Sequence, residues 1–269
     1  GNGWQTISLK DLQVNREYAV IQEKMQCDWS LPGAISDSSR AEFIDLQVAE
    51  NDDEGFSNKH LQVISTIKYP NAHLLVRYTV WVFPDATGIR TQLSVKASSG
   101  FNPTGIHDDE GLIDYYGNKM AVMGPRTDFL PLDFTTENQR RYWGYYNNPG
   151  GRHDQSRPML EEKLVTGYPL FQAEDVNWAS GISVEYNKGK NGVCVVKESP
   201  KCVNQQAHLT GSFYSGPGGL HTTGWGLAAN EIFPDRFREC WATWTIVWHG
   251  GNDGMQLAVK KFDRMRYPV

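Results

Sequence analysis

CWATWTIVWH, residues 240–249, alternates with a period of two. Cys240, Ala242, Trp244, Ile246 and Trp248 point to one side, and Trp241, Thr243, Thr245, Val247 and His249 to the other. Successive side chains leave opposite faces of a pleated strand, so this period predicts a β-strand. One face is wholly apolar and the other mixed, so the strand lies over a core. The run from Thr223 to Gly251 holds four of the nine tryptophans of the chain. Each indole brings a large apolar area and one N–H that needs an acceptor. Such a cluster is either a thick aromatic core or a platform for flat ligands. Alternation sends Trp244 and Trp248 inward and leaves Trp241 and Trp225, which sits off the strand, as the pair free to meet a ligand or a neighbouring domain.

The rest of the chain reads the same way. LQVISTIKY (Leu61–Tyr69) and VRYTVWVF (Val76–Phe83) are rich in β-branched and aromatic residues. Ile89–Ala97 alternates cleanly, and PDATG before it supplies Pro84 for a turn and Gly88 for a positive φ, which predicts a hairpin. Gly181–Asn187 and Val193–Lys197 form a second predicted hairpin about Lys188–Gly192. The Trp-rich strand and Met255–Phe262 form a third about Gly250–Gly254. Helical periodicity is short everywhere, and Pro158–Val165 is its best candidate. Many strands joined by Gly, Asn and Asp turns predict an all-β fold, a large antiparallel β-sandwich spanning 1–269 as a single domain. The stretch 98–180 reads as a long loop-rich insertion, of the kind that covers something or carries function.

With 269 residues, 39% hydrophobic and 12% aromatic, the chain can bury a sizeable core. Net charge is −5, and no run of Lys or Arg is long enough to track a phosphate backbone, which argues against nucleic acid as a partner. The basic cluster Lys260, Lys261, Arg264 and Arg266 reads as a solvated edge. No segment has the apolar length of a membrane span. The opening GNGWQTISL reads as the start of a mature or trimmed domain, and compartment is not legible from it.

Cys27, Cys194, Cys202 and Cys240 lack CxxC spacing, so a zinc site is not expected. Cys194 and Cys202 flank a short turn and are either bridged or buried thiols. GxSxG, HExxH and P-loop signatures are missing, and the seven histidines lie far apart. No catalytic residue, metal or cofactor is assigned. The acidic turns Asn51–Gly55 and His107–Gly111 carry adjacent carboxylates that suit either solvent or calcium. Glu231 and Asp175 sit among aromatics and read as hydrogen-bonded turn carboxylates before acid–base candidates.

RYWGYYNNPGGR, residues 141–152, is the most sugar-like stretch. Trp143, Tyr145 and Tyr146 offer flat faces for the C–H side of a pyranose, and Asn147 and Asn148 offer hydrogen bonds to hydroxyls. With Trp225 and Trp241 these are the sugar-contact candidates. Packing of a long loop over the sheet accounts for the same residues equally well.

Several segments occur in an order that resembles the N-terminal β-sandwich domain of α-galactosidase-like glycoside hydrolases of the family-36 type. They are FSNKHLQV (Phe56–Val63), VWVFPDATGIRTQLSVK (Val80–Lys96), VVKESPKCVNQ (Val195–Gln205), TGWGL (Thr223–Leu227) and the Trp-rich strand, closing on KKFDRMRYPV (Lys260–Val269). The resemblance implies a galactose-mutarotase-like supersandwich that precedes a catalytic (β/α)₈ barrel of the same parent chain. Such a barrel takes about 250 residues and the family's catalytic aspartates belong to it, so none is transferred to this chain. This chain is then expected to be inactive alone, to pack beside the barrel, to be able to wall its sugar pocket, and to be secreted or periplasmic. Two alternatives stay open. One is a self-contained carbohydrate-binding module. The other is a mutarotase-like epimerase with His208 or His249 and Glu231 as acid and base.

Overall fold

The computed structural model describes residues 3–20, 27–29, 41–102, 126–132, 139–146, 159–166, 174–176, 181–198, 213–216, 219–223, 226–227 and 229–268. The strands among them, in chain order, are β1 (Lys10–Asp11), β2 (Arg16–Glu17), β3 (Glu42–Asn51), β4 (His60–Tyr69), β5 (Leu74–Val82) and β6 (Gly88–Ala97). Then come β7 (Arg126–Leu130), β8 (Gln139–Tyr146), β9 (Met159–Thr166), β10 (Glu174–Val176), β11 (Gly181–Tyr186) and β12 (Asn191–Lys197). The last are β13 (Phe213–Gly216), β14 (Gly219–Thr223), β15 (Arg238–Glu239) and β16 (Thr243–His249), followed by the helix α1 (Gly251–Arg266).

The chain is all-β, as expected, with one α-helix among the described residues. A large antiparallel sheet runs β3-β4-β5-β6-β16-β12-β11-β8-β9, with β15 also paired to β6. A smaller sheet runs β10-β13-β14-β7. The two pack face to face. Phe213, Leu220 and Leu130 of the small sheet bury against Ile182, Val184, Val193, Val195 and Val247 of the large one. Between them Asp128 accepts a hydrogen bond from Thr91 Oγ1 at 2.7 Å, and buried Lys197 donates to Thr127 Oγ1 at 3.1 Å. Burial pushes the Asp128 carboxyl above its usual value, opposed by neighbouring threonine hydroxyls and the Lys197 charge.

The first two predicted hairpins form: β5 pairs with β6 and β11 with β12. In the first, Asp85 takes the positive φ (61°), not Gly88. Gly88 is needed for another reason, since a Cβ there would lie 2.6 Å from the Thr245 carbonyl oxygen of the adjacent strand.

The third predicted hairpin does not form. Residues 251–266 are helical, and Met255, Ala258, Val259, Phe262 and Met265 pack with Trp81, Phe83, Trp244 and Trp248. Those helix positions recur every three to four residues, the helical period. The glycines at 250, 251 and 254 mimicked a hairpin turn, whereas Gly250 and Gly251 (φ 88° and 72°) turn the chain into the helix. The short helical candidate at Pro158–Val165 is likewise overturned, because Met159–Thr166 is a strand in ladder with β8. Tertiary pairing overrides a weak local pattern. Within 98–180, β7 to β10 are strands.

Trp244 and Trp248 lie inside, as their alternation predicts, at 6% and 2% exposure. The opposite face of β16 is also buried, with Thr243, Thr245 and Val247 under the small sheet's side of the molecule. A strand at the centre of a large sheet, covered by a sheet on one face and a helix on the other, has no wet side. Cys194 is a buried free thiol, and burial pushes it and Cys240 upward. Cys202 lies outside the described residues.

The helix is held by charge as well as packing. Arg90 donates from Nε and Nη2 to the two carboxylate oxygens of Glu198, both at 2.8 Å, and stacks over Trp81 at 4.2 Å. Trp244 Nε1 donates to the same carboxylate. Arg266, read from sequence as part of a solvated basic edge, instead lies 3.4 Å from Asp53 and 3.9 Å from Glu198. Asp53, in the first acidic turn, also accepts from Ser57 Oγ at 3.0 Å. Burial disfavours the Glu198 charge, but the Arg90 bond and charge, then Trp244 and Arg266, outweigh it and hold the carboxyl below the usual range.

A native carboxyl held below its unfolded value stabilises fully above that value, near 4.5, and the contribution is lost as pH falls through the native one. Glu198→Gln leaves Arg90 buried with half its partner, so we expect a loss of about 3–5 kcal/mol at pH 7. Urea unfolding at pH 7 and below pH 4 checks this: the gap between variant and parent should narrow in acid, and an equal gap at both would refute the ion-pair origin.

Candidate functional site

A cleft of about 750 Å³ opens where the β1–β2 ribbon meets the β11–β12 turn and the end of β16. Each wall has a local cause. Asp11 ends β1, and its Oδ1 accepts from the backbone N–H groups of Gln13 (2.9 Å) and Val14 (3.4 Å), closing an Asx-type turn in which Asn15 takes φ 53°. Glu17 opposes Lys10 in the ribbon, and its carboxylate accepts from Ser8 Oγ, Leu9 N and Ala19 N at 2.6, 2.6 and 3.0 Å. Burial, the largest single influence, works against that carboxylate, but these bonds together outweigh it and hold it below the usual range.

Across the cleft, Asn187 and Lys188 take φ 50° and 56° to turn β11 into β12. The Lys190 carbonyl accepts the N–H groups of Gly250 and Gly251 at 3.0 and 3.1 Å, tying this turn to the start of α1. His249 ends β16, and its Nδ1 lies 3.0 Å from Asp11 Oδ2. Asp11 is buried at 4% side-chain exposure while His249 is partly open at 36%. Arg16 lies over the Tyr186 ring at 4.8 Å and the Tyr18 ring at 5.4 Å. The lining thus alternates amides, cations and carboxylates.

The sugar-contact candidates read from sequence lie apart from this cleft or outside the described residues. Trp143, Tyr145 and Tyr146 belong to β8, where Trp143 pairs in register with Gly181 and Glu162, so this half of the expected loop is strand. Their side chains, and Asn147, Asn148 and Trp225 entirely, lie outside the described residues. Trp241 is half-buried, and its indole lies over Gly226, where a Cβ would fall 2.4 Å from the ring. The epimerase pairing of His249 with Glu231 is not formed. His249 meets Asp11, and Glu231 lies 4.0 Å from Arg238. His208, the other histidine of that reading, and the acidic turn at 107–111 lie outside the described residues, as does the Asp175 side chain. The Asp11–His249 contact spans 238 positions, so no spacing rule finds it.

No protein-family model and no curated protein matches the sequence. Solved structures do. A variant of the GH36 α-galactosidase of Geobacillus stearothermophilus, solved with 1-deoxygalactonojirimycin, superposes over 93% of this chain with a TM-score of 0.50 and 10% identity. The two share a fold. The chain spans about a third of that protein's length (34%). The α-galactosidase of Lactobacillus brevis gives 0.47 at 10% identity, over 98% of this chain and 36% of that one. The galactosidase domain of an α-galactosidase–sucrose kinase gives 0.47 at 9%, over 91% and 33%. The sequence resemblance is therefore met at the level of fold.

Gly226 tests the placement of Trp241. Its φ of 77° and the close indole both resist a side chain. Gly226→Ala should cost about 1–3 kcal/mol and shift tryptophan emission as Trp241 is displaced. Unchanged emission and an unchanged melt would refute that contact.

Proposed function

We propose that this chain is a non-catalytic domain of an α-galactosidase-like glycoside hydrolase, packing beside the catalytic barrel of the same parent protein. The observation that carries the reading is the fold likeness over 93% of this chain to about a third of an α-galactosidase. The sequence motifs of the common hydrolases and cofactor enzymes are missing, which supports assigning the chemistry elsewhere.

An exposed apolar strip supports a packing role. Along β3 to β5 the register aligns Leu46, Val48, Leu61 and Val82 on one side of the sheet, at 47, 57, 41 and 39% exposure. Phe43 continues it at 62%. Contiguous exposed apolar surface of this kind marks a contact site, and the occupant in this reading is the barrel. Carbohydrate is then the parent protein's substrate, with this domain able to wall the sugar pocket through the segment containing Trp143 to Asn148. A secreted or periplasmic location goes with the same reading. No helix among the described residues is long and apolar enough to cross a membrane.

Hydrolysis of aryl α-galactosides tests the reading in two arms. The purified 269-residue chain should show no turnover, and the product of the whole native coding sequence should hydrolyse the substrate. Turnover by the chain alone, or none by the whole product, would overturn it.

A further inference from the structure

We propose that the cleft between the β1–β2 ribbon and the β11–β12 turn binds a neutral, polyhydroxylated ligand of monosaccharide size. The inference does not rest on the glycosidase reading, since it concerns a site whose residues all belong to this chain.

Two unsatisfied polar groups point to a ligand. Asn191, 8% exposed, has a buried side-chain oxygen with no hydrogen-bond partner among the described residues. Arg16 Nε is likewise buried and unpartnered. One is an acceptor and the other a donor, and both residues line the cleft. Buried groups of this kind are rare in native proteins unless something pairs with them. A hydroxyl both donates and accepts, so a single chemical group satisfies either.

Charge decides against an ion. Glu17 spends its carboxylate on Ser8, Leu9 and Ala19, and Asp11 spends its own on His249 and the turn. The Arg16 cation faces the Tyr186 ring. The formal charges around the cleft nearly cancel, Arg16 and Lys190 against Glu17 and the Asp11 that meets His249, and Asn15, Asn187 and Asn191 add neutral amides. Such a lining suits vicinal hydroxyls better than a net charge of either sign. Its volume of about 750 Å³ falls in the range of small-molecule sites. The groups are also held in place before any ligand arrives, by the Asp11–His249 contact and the Lys190 carbonyl bonds to Gly250 and Gly251. Preorganisation reduces the entropy lost on binding.

Calorimetric titration of the 269-residue chain with D-galactose, D-glucose, myo-inositol, sodium glucuronate and sodium phosphate tests the proposal. At least one neutral polyol should bind with a Kd of about 1 mM or below. Asn191→Ala and Arg16→Met should each weaken it by about tenfold or more without changing the melting profile. Arg16→Met, on the two-stranded ribbon and not in the large sheet, carries the test should Asn191→Ala fail to fold. Binding of glucuronate or phosphate alone, no neutral binding at about 50 mM, or affinity unchanged in a folded variant would each overturn it. A chain inactive on α-galactosides still gives a clear answer here, so this inference and the glycosidase reading fail separately.

Discussion

The ladder between β6 and β16 is the constraint on which the rest of the structure depends. The meander β3 to β6 and the group β12, β11, β8 and β9 join into one sheet only through β16, which pairs Thr243–Ile246 with Gly88–Thr91 on one side and Thr243–His249 with Asn191–Lys197 on the other. Both edges of β16 are hydrogen-bonded and both faces are covered. Its odd residues meet the polar seam under the small sheet, and its even residues hold the helix. Gly88 and Gly192 lie in register with Ile246 and Trp248, and their lack of a side chain lets neighbouring backbone and indole close in.

The helix then fixes the other end of the site. Glu198 leaves the end of β12, Arg90 comes from β6 and Trp244 from β16, so one carboxylate gathers three strands' worth of chain beneath α1. The first turn of the same helix borders the cleft through Gly250 and Gly251. Packing under the helix and geometry at the cleft are thus coupled through sixteen helical residues.

Strand identity was legible wherever side chains alternated against a core. Leu61–Tyr69, Val76–Phe83, Ile89–Ala97 and the inward tryptophans followed from period two alone. The helix was hidden because Met255, Leu257 and Val259 also satisfy period two, and only the extension to Phe262 and Met265 separates three-point-six from two. Leu257, at 67% exposure, is the residue that misleads. The cleft was not legible. Asp11 and His249 sit at opposite ends of the chain, and a turn carboxylate looks the same in sequence whether or not a histidine arrives beside it.

The same central ladder sets an order of events in time. Thr91 and Thr243 are 152 positions apart, so β6 waits for a partner that is made much later. Loops of that length close slowly, and nascent β3 to β6 would stand meanwhile as a four-stranded meander with an open edge at each side. Glu42, Asp45 and Glu50 on β3 place like charges along one of those edges, the kind of device that keeps exposed strands from pairing with a second chain. Those acids protect an unfinished protein as much as a finished one.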